Sequence, residues 1–259
     1  MATSLRDRFR LDGRVALVTG ASKGIGASIA RGLAEFGAAV VVSSRKQEAV
    51  EEVAQAIRAE GGQALAVAAN VGTFPETLDL VDRTVAAFGG VDIVVNNAAA
   101  NPVFGPIQDA DERAYAKIMN VNVRGPLEIC KRAYPSMKQR GGGSIINVAS
   151  IGGLKPERGI GLYSASKAAL INLSMGMAQD WGLDNVRVNV ICPGLIKTRF
   201  SAALWGNEEI LARFLQRIPL RRIGAPEDVA GLAVFLASGA AAYCTGSVYM
   251  VDGGYMAGE

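Results

Sequence analysis

Short apolar runs alternate with amphipathic, helix-like segments along nearly the whole chain. Many of the runs are rich in Val, Ile and Ala, which is typical of buried strands. Strands are predicted at residues 14–19, 39–43, 64–68, 92–95, 143–148, 186–191 and 247–251. Helices are predicted at residues 24–36, 46–60, 74–88, 110–138, 162–182, 200–216 and 226–237. This alternation predicts an α/β fold, in which a mostly parallel sheet is covered by helices on both faces.

The pattern continues without a break in composition, which bears on the number of domains. Glycines stand where helices should end, at Gly37, Gly61–Gly62 and Gly89–Gly90. The 259 residues contain no internal repeat, low-complexity tract or linker that would divide them. We therefore predict one domain, residues 1–259, built on a doubly wound sheet of seven strands.

One stretch has the length and hydropathy of a membrane span. Val229–Val251 is uncharged and long enough to cross a bilayer, but Ser238–Gly239 and Thr245–Ser247 interrupt it. We predict a buried helix, a loop and a final buried strand there. Met1–Arg10 is charged and lacks the apolar core of a signal peptide, and Met256–Glu259 is not a peroxisomal address. These features predict a cytoplasmic protein that does not bind membranes.

The composition excludes several kinds of site. The chain has no histidine, which excludes a Ser-His-Asp triad, a Cys-His pair and histidine metal ligands. Cys130, Cys192 and Cys244 are far apart, so we predict buried free thiols of a reducing compartment and no metal site. The net charge of +3 is small and the basic residues are scattered, so we predict no nucleic-acid binding.

A glycine-rich turn, Gly20-Ala21-Ser22-Lys23-Gly24-Ile25-Gly26, follows the first predicted strand and precedes a helix. Glycines let the backbone turn tightly and approach a pyrophosphate. The helix N-terminus offers free N–H groups and the positive end of its dipole to that anion. The strand–turn–helix context therefore predicts a dinucleotide-binding turn.

Ser150, Tyr163 and Lys167 form the candidate catalytic group. Tyr163 and Lys167 are four residues apart in a predicted helix, so their side chains stack on one face. A cation beside a phenol lowers its pKa from about 10, which suits the phenol to acid–base catalysis. Ser150 follows the predicted strand 143–148 and lies at its carboxyl end. A nucleophilic Ser150 is the alternative, but the chain offers no base of the usual kind.

These stretches resemble the short-chain dehydrogenase/reductase family over nearly the whole chain. The family's T-G-x-x-x-G-x-G motif and its spaced Ser-Tyr-Lys set match at Thr19, Gly20, Gly24, Gly26, Ser150, Tyr163 and Lys167. Asn122 matches the family's helix asparagine, and Pro193–Gly194 matches its turn after the sixth strand. Within the family, the chain looks most like NADPH-dependent carbonyl reductases, which include retinal reductases, at Val40–Lys46, Asn97–Ala99, Asn101–Pro102 and Gly194–Thr198.

The resemblance implies a Rossmann-like fold with a nicotinamide cofactor across the carboxyl ends of the strands. The residues that it implies for cofactor binding are Gly20, Ser22, Lys23, Gly24, Ile25, Gly26, Ser44, Arg45, Lys46, Asn70, Val71, Asn97, Ala98, Ala99, Tyr163, Lys167, Pro193, Gly194, Ile196 and Thr198. The chain departs from the family pattern at Asn70, usually Asp, and at Ala99, usually Gly. We expect both departures to be mild.

Arg45 decides the predicted cofactor. An acidic residue at the end of the second strand holds the ribose 2′-hydroxyl of NAD, whereas an arginine accommodates a 2′-phosphate. The acidic position is Ser44 here, and Arg45 follows with a guanidinium that can bind phosphate in bidentate fashion. Lys23 and Lys46 could add positive charge. We predict that the cofactor is NADP(H). NAD(H) is the alternative if Arg45 and Lys46 only stand at the start of a helix that faces solvent and bind no phosphate.

The resemblance also implies roles in catalysis. Ser150 and Tyr163 would hydrogen-bond the carbonyl oxygen of a substrate, and Tyr163 would transfer the proton. Lys167 would bind the nicotinamide ribose, and Asn122 would hold a water that relays protons to Lys167. The implied reaction is the reversible reduction of a ketone or aldehyde to an alcohol.

Residues 195–216 are predicted to form a substrate lid. Its apolar side chains recur at near-helical spacing, at Phe200, Leu204, Trp205, Ile210, Leu211 and Phe214. These apolar side chains either contact an apolar carbonyl substrate or only pack against the rest of the domain. Alternatively, Arg199 and Arg213 could bind an anionic substrate such as an acyl-carrier-protein thioester. The candidates are a broad carbonyl reductase, a 3-oxoacyl reductase, and an alcohol or steroid dehydrogenase. A binding protein that senses the cofactor without catalysing a reaction is the alternative from another functional class. For the assembly, the resemblance implies a homotetramer.

Overall fold

The computed structural model describes residues 4–258, in which seven strands form one sheet. The strands are β1 (Val15–Thr19), β2 (Ala39–Ser44), β3 (Gln63–Ala68), β4 (Ile93–Asn96), β5 (Gly143–Val148), β6 (Val186–Pro193) and β7 (Val248–Val251). Their order is β3-β2-β1-β4-β5-β6-β7, and every pairing is parallel. The order reverses direction between β1 and β4, so the predicted doubly wound sheet is confirmed.

Helices cover both faces of the sheet. They are α1 (Leu5–Arg8), α2 (Gly24–Glu35), α3 (Gln47–Ala59), α4 (Phe74–Phe88), α5 (Glu112–Met119), α6 (Gly125–Gln139), α7 (Gly161–Trp181), α8 (Ala202–Trp205), α9 (Glu208–Arg217) and α10 (Pro226–Ala237). Ala16 and Val18 of β1 enter the core beneath α2, α3 and α10, whereas Leu17 enters the core beneath α4, α6 and α7. Alternate residues of a strand face opposite ways, so a strand buried on both faces is apolar throughout.

Two predicted helices are interrupted. The predicted helix 110–138 consists of α5, a π-helical turn (Asn120–Arg124) and α6. Here Gly125 packs so tightly that a Cβ atom would lie 2.4 Å from the Val71 carbonyl oxygen. The predicted helix 200–216 is divided into α8 and α9, because Asn207 has extended dihedrals and its Oδ1 caps α9 by accepting a 3.0 Å hydrogen bond from Ile210 N. The helical spacing of apolar residues continues unchanged across both interruptions, so the sequence pattern could not reveal them.

The C-terminal part confirms the predicted helix, loop and strand but corrects the burial of the last strand. α10 is followed by a 3₁₀ turn, Gly239–Ala241, and then by β7. β7 lies at the edge of the sheet, and Met250 is 54% exposed. Cys130 and Cys192 are buried free thiols, whereas Cys244 is partly exposed. Among the helices of residues 4–258, none has the length and apolar character needed to span a bilayer.

All strands are parallel, so their carboxyl ends share one edge of the sheet. The loops that follow β1 to β6 leave the sheet at this edge. Apart from Ser44 and Pro193, which end β2 and β6, the residues predicted for cofactor binding or catalysis lie on these loops or on the helical segments that they lead into. The fold therefore gathers stretches that are more than a hundred residues apart in sequence into one place.

Candidate active site

The turn after β1 contains glycines that its close neighbours require. Gly20 has a φ of +63°, and a Cβ atom there would lie 2.8 Å from Ala98 Cα. A Cβ atom at Gly26 would lie 2.5 Å from Asn97 Nδ2 and 2.6 Å from the Gly20 carbonyl oxygen. Both positions therefore need glycine, and the turn has the strand–turn–helix context of a pyrophosphate site.

Asn97, after β4, supports this turn. Its side-chain amide donates to the carbonyl oxygens of Thr19, at 3.0 Å, and Gly20, at 3.1 Å. Thr19 Oγ1 in turn accepts from the backbone N–H groups of Asn97 and Ala98, at 3.1 and 3.2 Å. Because both bonds of the Asn97 amide go to the turn, this side chain shapes the site, and the backbone of Ala98 and Ala99 borders it.

The N-terminus of α2 and the end of β2 fit the phosphates of a dinucleotide. Within residues 4–258 no side chain caps the first turn of α2, so its N–H groups and dipole can bind an anion. Lys23 at the N-cap is exposed. The Ser44 hydroxyl donates to Ser22 Oγ at 3.2 Å, which joins the turns after β1 and β2. Arg45 and Lys46 stand exposed beside that contact, where a 2′-phosphate would be expected.

Three of the residues predicted to bind the cofactor have side chains that pack in the core or hydrogen-bond within a loop. Val71 is buried in the core, and Ile25 is partly buried and packs against it. Asn70 shapes the loop after β3, where its Oδ1 accepts from Gly72 N at 3.2 Å and its own N–H donates to Glu76 Oε2 at 2.9 Å. These side chains support the loops around the site, and the contact of these three residues with a cofactor stays a prediction.

Ser150, Tyr163 and Lys167 converge at the carboxyl edge. β5 delivers Ser150, whose Oγ accepts from Gly152 N at 3.0 Å. α7 carries Tyr163 and Lys167 on one face, with Lys167 Nζ 5.7 Å from the centre of the Tyr163 ring. Lys167 Nζ also donates to the Val148 carbonyl oxygen at 2.8 Å. Tyr163 is 8% exposed and Lys167 1% exposed, so their charges are sensitive to their surroundings.

Burial dominates the pKa values of this pair. It raises the pKa of Tyr163 to about 12, although a hydrogen bond with Ser150 lowers it. Burial also lowers the pKa of Lys167 to about 8. The sequence predicted instead that Lys167 lowers the Tyr163 pKa, and here the loss of hydration of the phenolate outweighs the neighbouring cation. At neutral pH Tyr163 is a protonated donor and Lys167 is still mostly charged.

Asn122 lies in the π-helical turn and is fully buried. Its Oδ1 accepts from Ala100 N at 2.8 Å, and its Nδ2 donates to the Ala100 carbonyl oxygen at 3.0 Å and to Ser166 Oγ at 2.9 Å. Ser166 donates in turn to the Tyr163 carbonyl oxygen at 2.6 Å. Asn122 thus fixes the loop after β4 to α7 through both hydrogens of its side-chain amide, and its part in a water-mediated proton relay stays a prediction.

The loop after β6 leads from the sheet into the lid. Pro193 ends β6, and a Cβ atom at Gly194 would lie 2.8 Å from Asp252 Cα. Ile196 is buried and pairs with Gly224 in an isolated parallel bridge. The Thr198 methyl group would lie 3.1 Å from a Cβ atom at Gly24. The lid therefore begins beside the glycine turn.

Phe200 is the lid residue that reaches the catalytic group. Its ring centroid lies 6.0 Å from that of Tyr163, and 59% of Phe200 is exposed. Trp205 Nε1 donates to the Thr198 carbonyl oxygen at 2.9 Å, so Trp205 belongs to the packing of the lid itself. Arg213 is paired with Glu209, which weakens the expectation that it meets an anionic substrate.

Two contacts near the site were not predicted. Ser166 links Asn122 to Tyr163, and its place three residues after Tyr163 in a helix is the signal that could have found it. Tyr255 bonds Glu157 from 98 residues away, and no local pattern joins them. The glycine turn, the Ser150–Tyr163–Lys167 group and the start of the predicted lid thus lie at one edge of the sheet, with supports from distant parts of the chain.

Comparisons with known proteins identify the family. A family model described as enoyl-(acyl carrier protein) reductase matches residues 20–256. Dehydrogenase/reductase SDR family member 4 of Oryctolagus cuniculus is 43% identical over 247 residues, which cover 95% of each chain. A gluconate 5-dehydrogenase from Burkholderia cenocepacia, in complex with NADP and tartrate, has a TM-score of 0.94 at 34% identity, covering 99% of this chain and 100% of that one.

A further solved structure, a 7α-hydroxysteroid dehydrogenase complexed with NADH and 7-oxo glycochenodeoxycholic acid, has a TM-score of 0.93 at 37% identity over 98% of both chains. The two structures bind different nicotinamide cofactors, so the comparisons leave the choice between NAD and NADP open. Similarity over nearly the whole length, together with the glycine turn and the Ser150–Tyr163–Lys167 group, shows that the chain belongs to the short-chain dehydrogenase/reductase family and is an NAD(P)-dependent oxidoreductase acting on CH–OH and C=O groups.

Proposed function

We propose that the protein uses NADP(H) to reduce a ketone or aldehyde to an alcohol, in a reversible reaction with Tyr163 as the general acid and base. The observation that carries this proposal is the buried phenol of Tyr163, with Ser150 as hydrogen-bond partner and Lys167 Nζ 5.7 Å from its ring centre. A donor held protonated in a dry site can give its proton to an oxygen as negative charge develops there.

Different residues of the chain have different roles in the proposed reaction. Ser150 and Tyr163 would bind the carbonyl oxygen and orient it, and Tyr163 Oη would give up its proton. Lys167 supplies positive charge one helical turn away, which favours the phenolate that remains. Asn122 and Ser166 hold the loop after β4 in place against α7. The bound nicotinamide cofactor would supply the hydride, and the glycine turn and the N-terminus of α2 would hold its pyrophosphate.

Arg45 supports NADP(H) as the cofactor. It follows β2 directly and is exposed beside the Ser22–Ser44 contact, and β2 ends in Ser44 without a carboxylate. A guanidinium recognises a phosphate through paired charge-assisted hydrogen bonds. NAD(H) is the second candidate, because the similar 7α-hydroxysteroid dehydrogenase was solved with NADH.

The rim of the site supports a substrate with an apolar body. Large apolar side chains stand exposed on the loops around Tyr163, at Phe104, Ile107, Leu154 and Phe200. Exposed apolar groups clustered at a cleft are typical of ligand contact. An anionic thioester is the alternative substrate for Arg199 and Arg213, although Arg213 is already paired with Glu209.

Oxidation of NADPH and NADH by a panel of carbonyl compounds tests the proposal. The panel contains aldehydes, ketones, diketones and 3-oxoacyl thioesters, with a 2-enoyl thioester added because of the description of the matched family model. We expect turnover of a ketone or aldehyde, with NADPH preferred. Turnover of only the enoyl thioester, or cofactor binding without any turnover, would contradict the proposal.

We also propose a homotetramer located in the cytoplasm. The edge strand β7 and nearby segments expose Met250, Tyr243 and Leu220, which supports a contact between copies. The free thiols of Cys130 and Cys192 support a reducing compartment. Light scattering of the purified protein tests the assembly, and a monomer at all concentrations would contradict it.

A further inference from the structure

The loop after β4 carries a polar group without a partner. Asn101 follows the segment that Asn122 fixes, and its carboxamide oxygen is buried with no hydrogen-bond partner among residues 4–258. A buried acceptor left unpaired is costly, and such groups in native proteins commonly serve a ligand or hold a water. Asn101 plays no part in the mechanism proposed above, so its carboxamide needs a separate explanation.

A small cavity adjoins Asn101. Asn101 and Tyr163 both line it, and the other walls include the apolar side chains of Val103, Ile107, Ile118, Ile160 and Leu162. Its volume of about 10 Å³ is room for one water-sized group. The cavity is therefore large enough for one small substituent, such as a hydroxyl group.

The cavity belongs to the substrate side of the site. Gly105 N donates to the Gly159 carbonyl oxygen at 2.9 Å, which ties the loop after β4 to the segment just before Tyr163. The Phe104 ring packs on Gly159, with a Cβ atom there 3.2 Å from its nearest carbon. Ile107 packs in the same way on Gly161, at 3.3 Å. These contacts place Asn101 on the wall next to the catalytic tyrosine.

We propose that Asn101 is a specificity-determining residue whose Oδ1 accepts a hydrogen bond from a hydroxyl group of the substrate, close to the reacting carbonyl. The substrate class is therefore a hydroxyketone or hydroxyaldehyde with an apolar body. This inference rests on the proposed carbonyl reduction. In an apolar pocket one polar group fixes the orientation of a ligand, and a substrate without the matching group leaves the acceptor unpaired. A water is the weaker occupant, because mostly apolar walls offer it few further partners.

Two matched pairs of ketones test the proposal. Each pair replaces the hydroxyl with a methyl group of similar size: 2-hydroxyacetophenone with propiophenone, and 3-hydroxypropiophenone with butyrophenone. In the wild-type protein we expect kcat/KM to favour the hydroxylated member of at least one pair by about tenfold or more. Asn101→Leu should bring that ratio close to one, while Asn101→Asp, which keeps an acceptor, should preserve a preference. NADPH binding by fluorescence serves as the folding control.

Binding measurements separate this inference from the proposed function. Calorimetry of the same ketones with the protein–NADP⁺ complex measures the hydroxyl preference without turnover. A preference in binding that Asn101→Leu abolishes supports the role of Asn101, even if neither ketone is reduced and the proposed reaction is wrong. Equal affinity and equal kcat/KM within both pairs, or a preference that survives in Asn101→Leu and Asn101→Ala, would overturn it and leave solvent as the partner of the carboxamide.

Discussion

The phenol of Tyr255 donates a 2.6 Å hydrogen bond to Oε1 of Glu157. Glu157 lies on the loop between Ser150 and Tyr163, so this bond joins the C-terminal segment to the catalytic region. On its other side the Tyr255 ring stacks on Phe214 of α9, 5.8 Å between centroids, and the Arg217 guanidinium lies 4.5 Å from the ring centre. One tyrosine therefore connects α9 of the predicted lid to the loop that joins Ser150 to α7.

Tyr255→Phe should loosen the lid without touching the chemistry. Burial raises the pKa of Tyr255 to about 12, so its hydroxyl remains a donor at neutral pH. Removing that hydroxyl costs about 1 kcal/mol and leaves the aromatic stack in place. We expect KM to rise several-fold with kcat within about twofold, as measured by steady-state kinetics. Tyr115→Phe, at an exposed position on α5, is the matched control, and an unchanged KM in Tyr255→Phe would contradict the link.

Tyr163→Phe should remove nearly all turnover. The change deletes the only proton that the proposed mechanism gives to the substrate oxygen, and general acid catalysis contributes about 10²–10⁴-fold. Cofactor affinity, followed by fluorescence titration, should change little. Tyr115→Phe, at an exposed position, controls for the loss of a hydroxyl elsewhere. Retained turnover would show that another group supplies the proton.

The rate of reduction should fall as the pH rises through about 8. Burial lowers the pKa of Lys167 to about 8, so this side chain is charged below that pH and neutral above it. The charge favours the phenolate that forms at Tyr163, so kcat/KM should be level at lower pH and decline above it. An arginine keeps its charge throughout, so the alkaline decline should be absent in Lys167→Arg, even if its rate is lower. A level profile to pH 10 in the wild type would contradict this role.

Arg45→Asp should reverse the cofactor preference. A carboxylate at the end of β2 repels a 2′-phosphate and can accept a hydrogen bond from a 2′-hydroxyl. We expect the affinity for NADPH to fall by about tenfold or more and the affinity for NADH to hold or improve. Arg31→Asp, an exposed change of equal charge on α2, is the control in the same titrations. Equal losses in both variants would point to general electrostatics.

Asp92→Asn should destabilise the fold, far from the catalytic group. Asp92 is 2% exposed, pairs with Arg14 at 3.0 Å and Arg140 at 2.9 Å, and accepts from Val15 N at 2.8 Å. Losing the charge of a buried, fully bonded carboxylate costs about 3–5 kcal/mol in the free energy of unfolding. Urea unfolding measures this loss in the free energy of unfolding. The exposed Asp82–Arg132 pair is the control, because Asp82→Asn should cost less than about 1 kcal/mol.

The prediction of the strands and of the cofactor turn depended on local features. Most strands contain a short apolar run, such as Val15–Val18 in β1 and Ile93–Val95 in β4, and the glycines of the turn after β1 stand directly before a helix. The spacing of Tyr163 and Lys167 follows from the helical period alone. The breaks at Asn120–Arg124 and near Asn207 were missed, because packing against Val71 and a single side-chain cap outweigh a period that runs on unchanged.

By itself the sequence determined the order of the elements, the doubly wound sheet and the residues at its carboxyl edge, since periodicity and turn chemistry act over a few residues. The tertiary structure alone decided how those residues behave. It directed the Asn97 amide to the carbonyl oxygens of the glycine turn, placed Tyr255 against Glu157 and left the Asn101 carboxamide oxygen without a partner among residues 4–258. It also raised the pKa of Tyr163 to about 12 where the sequence predicted a lowered value. Desolvation and long-range hydrogen bonds depend on which distant segments pack together, and no local pattern contains that information.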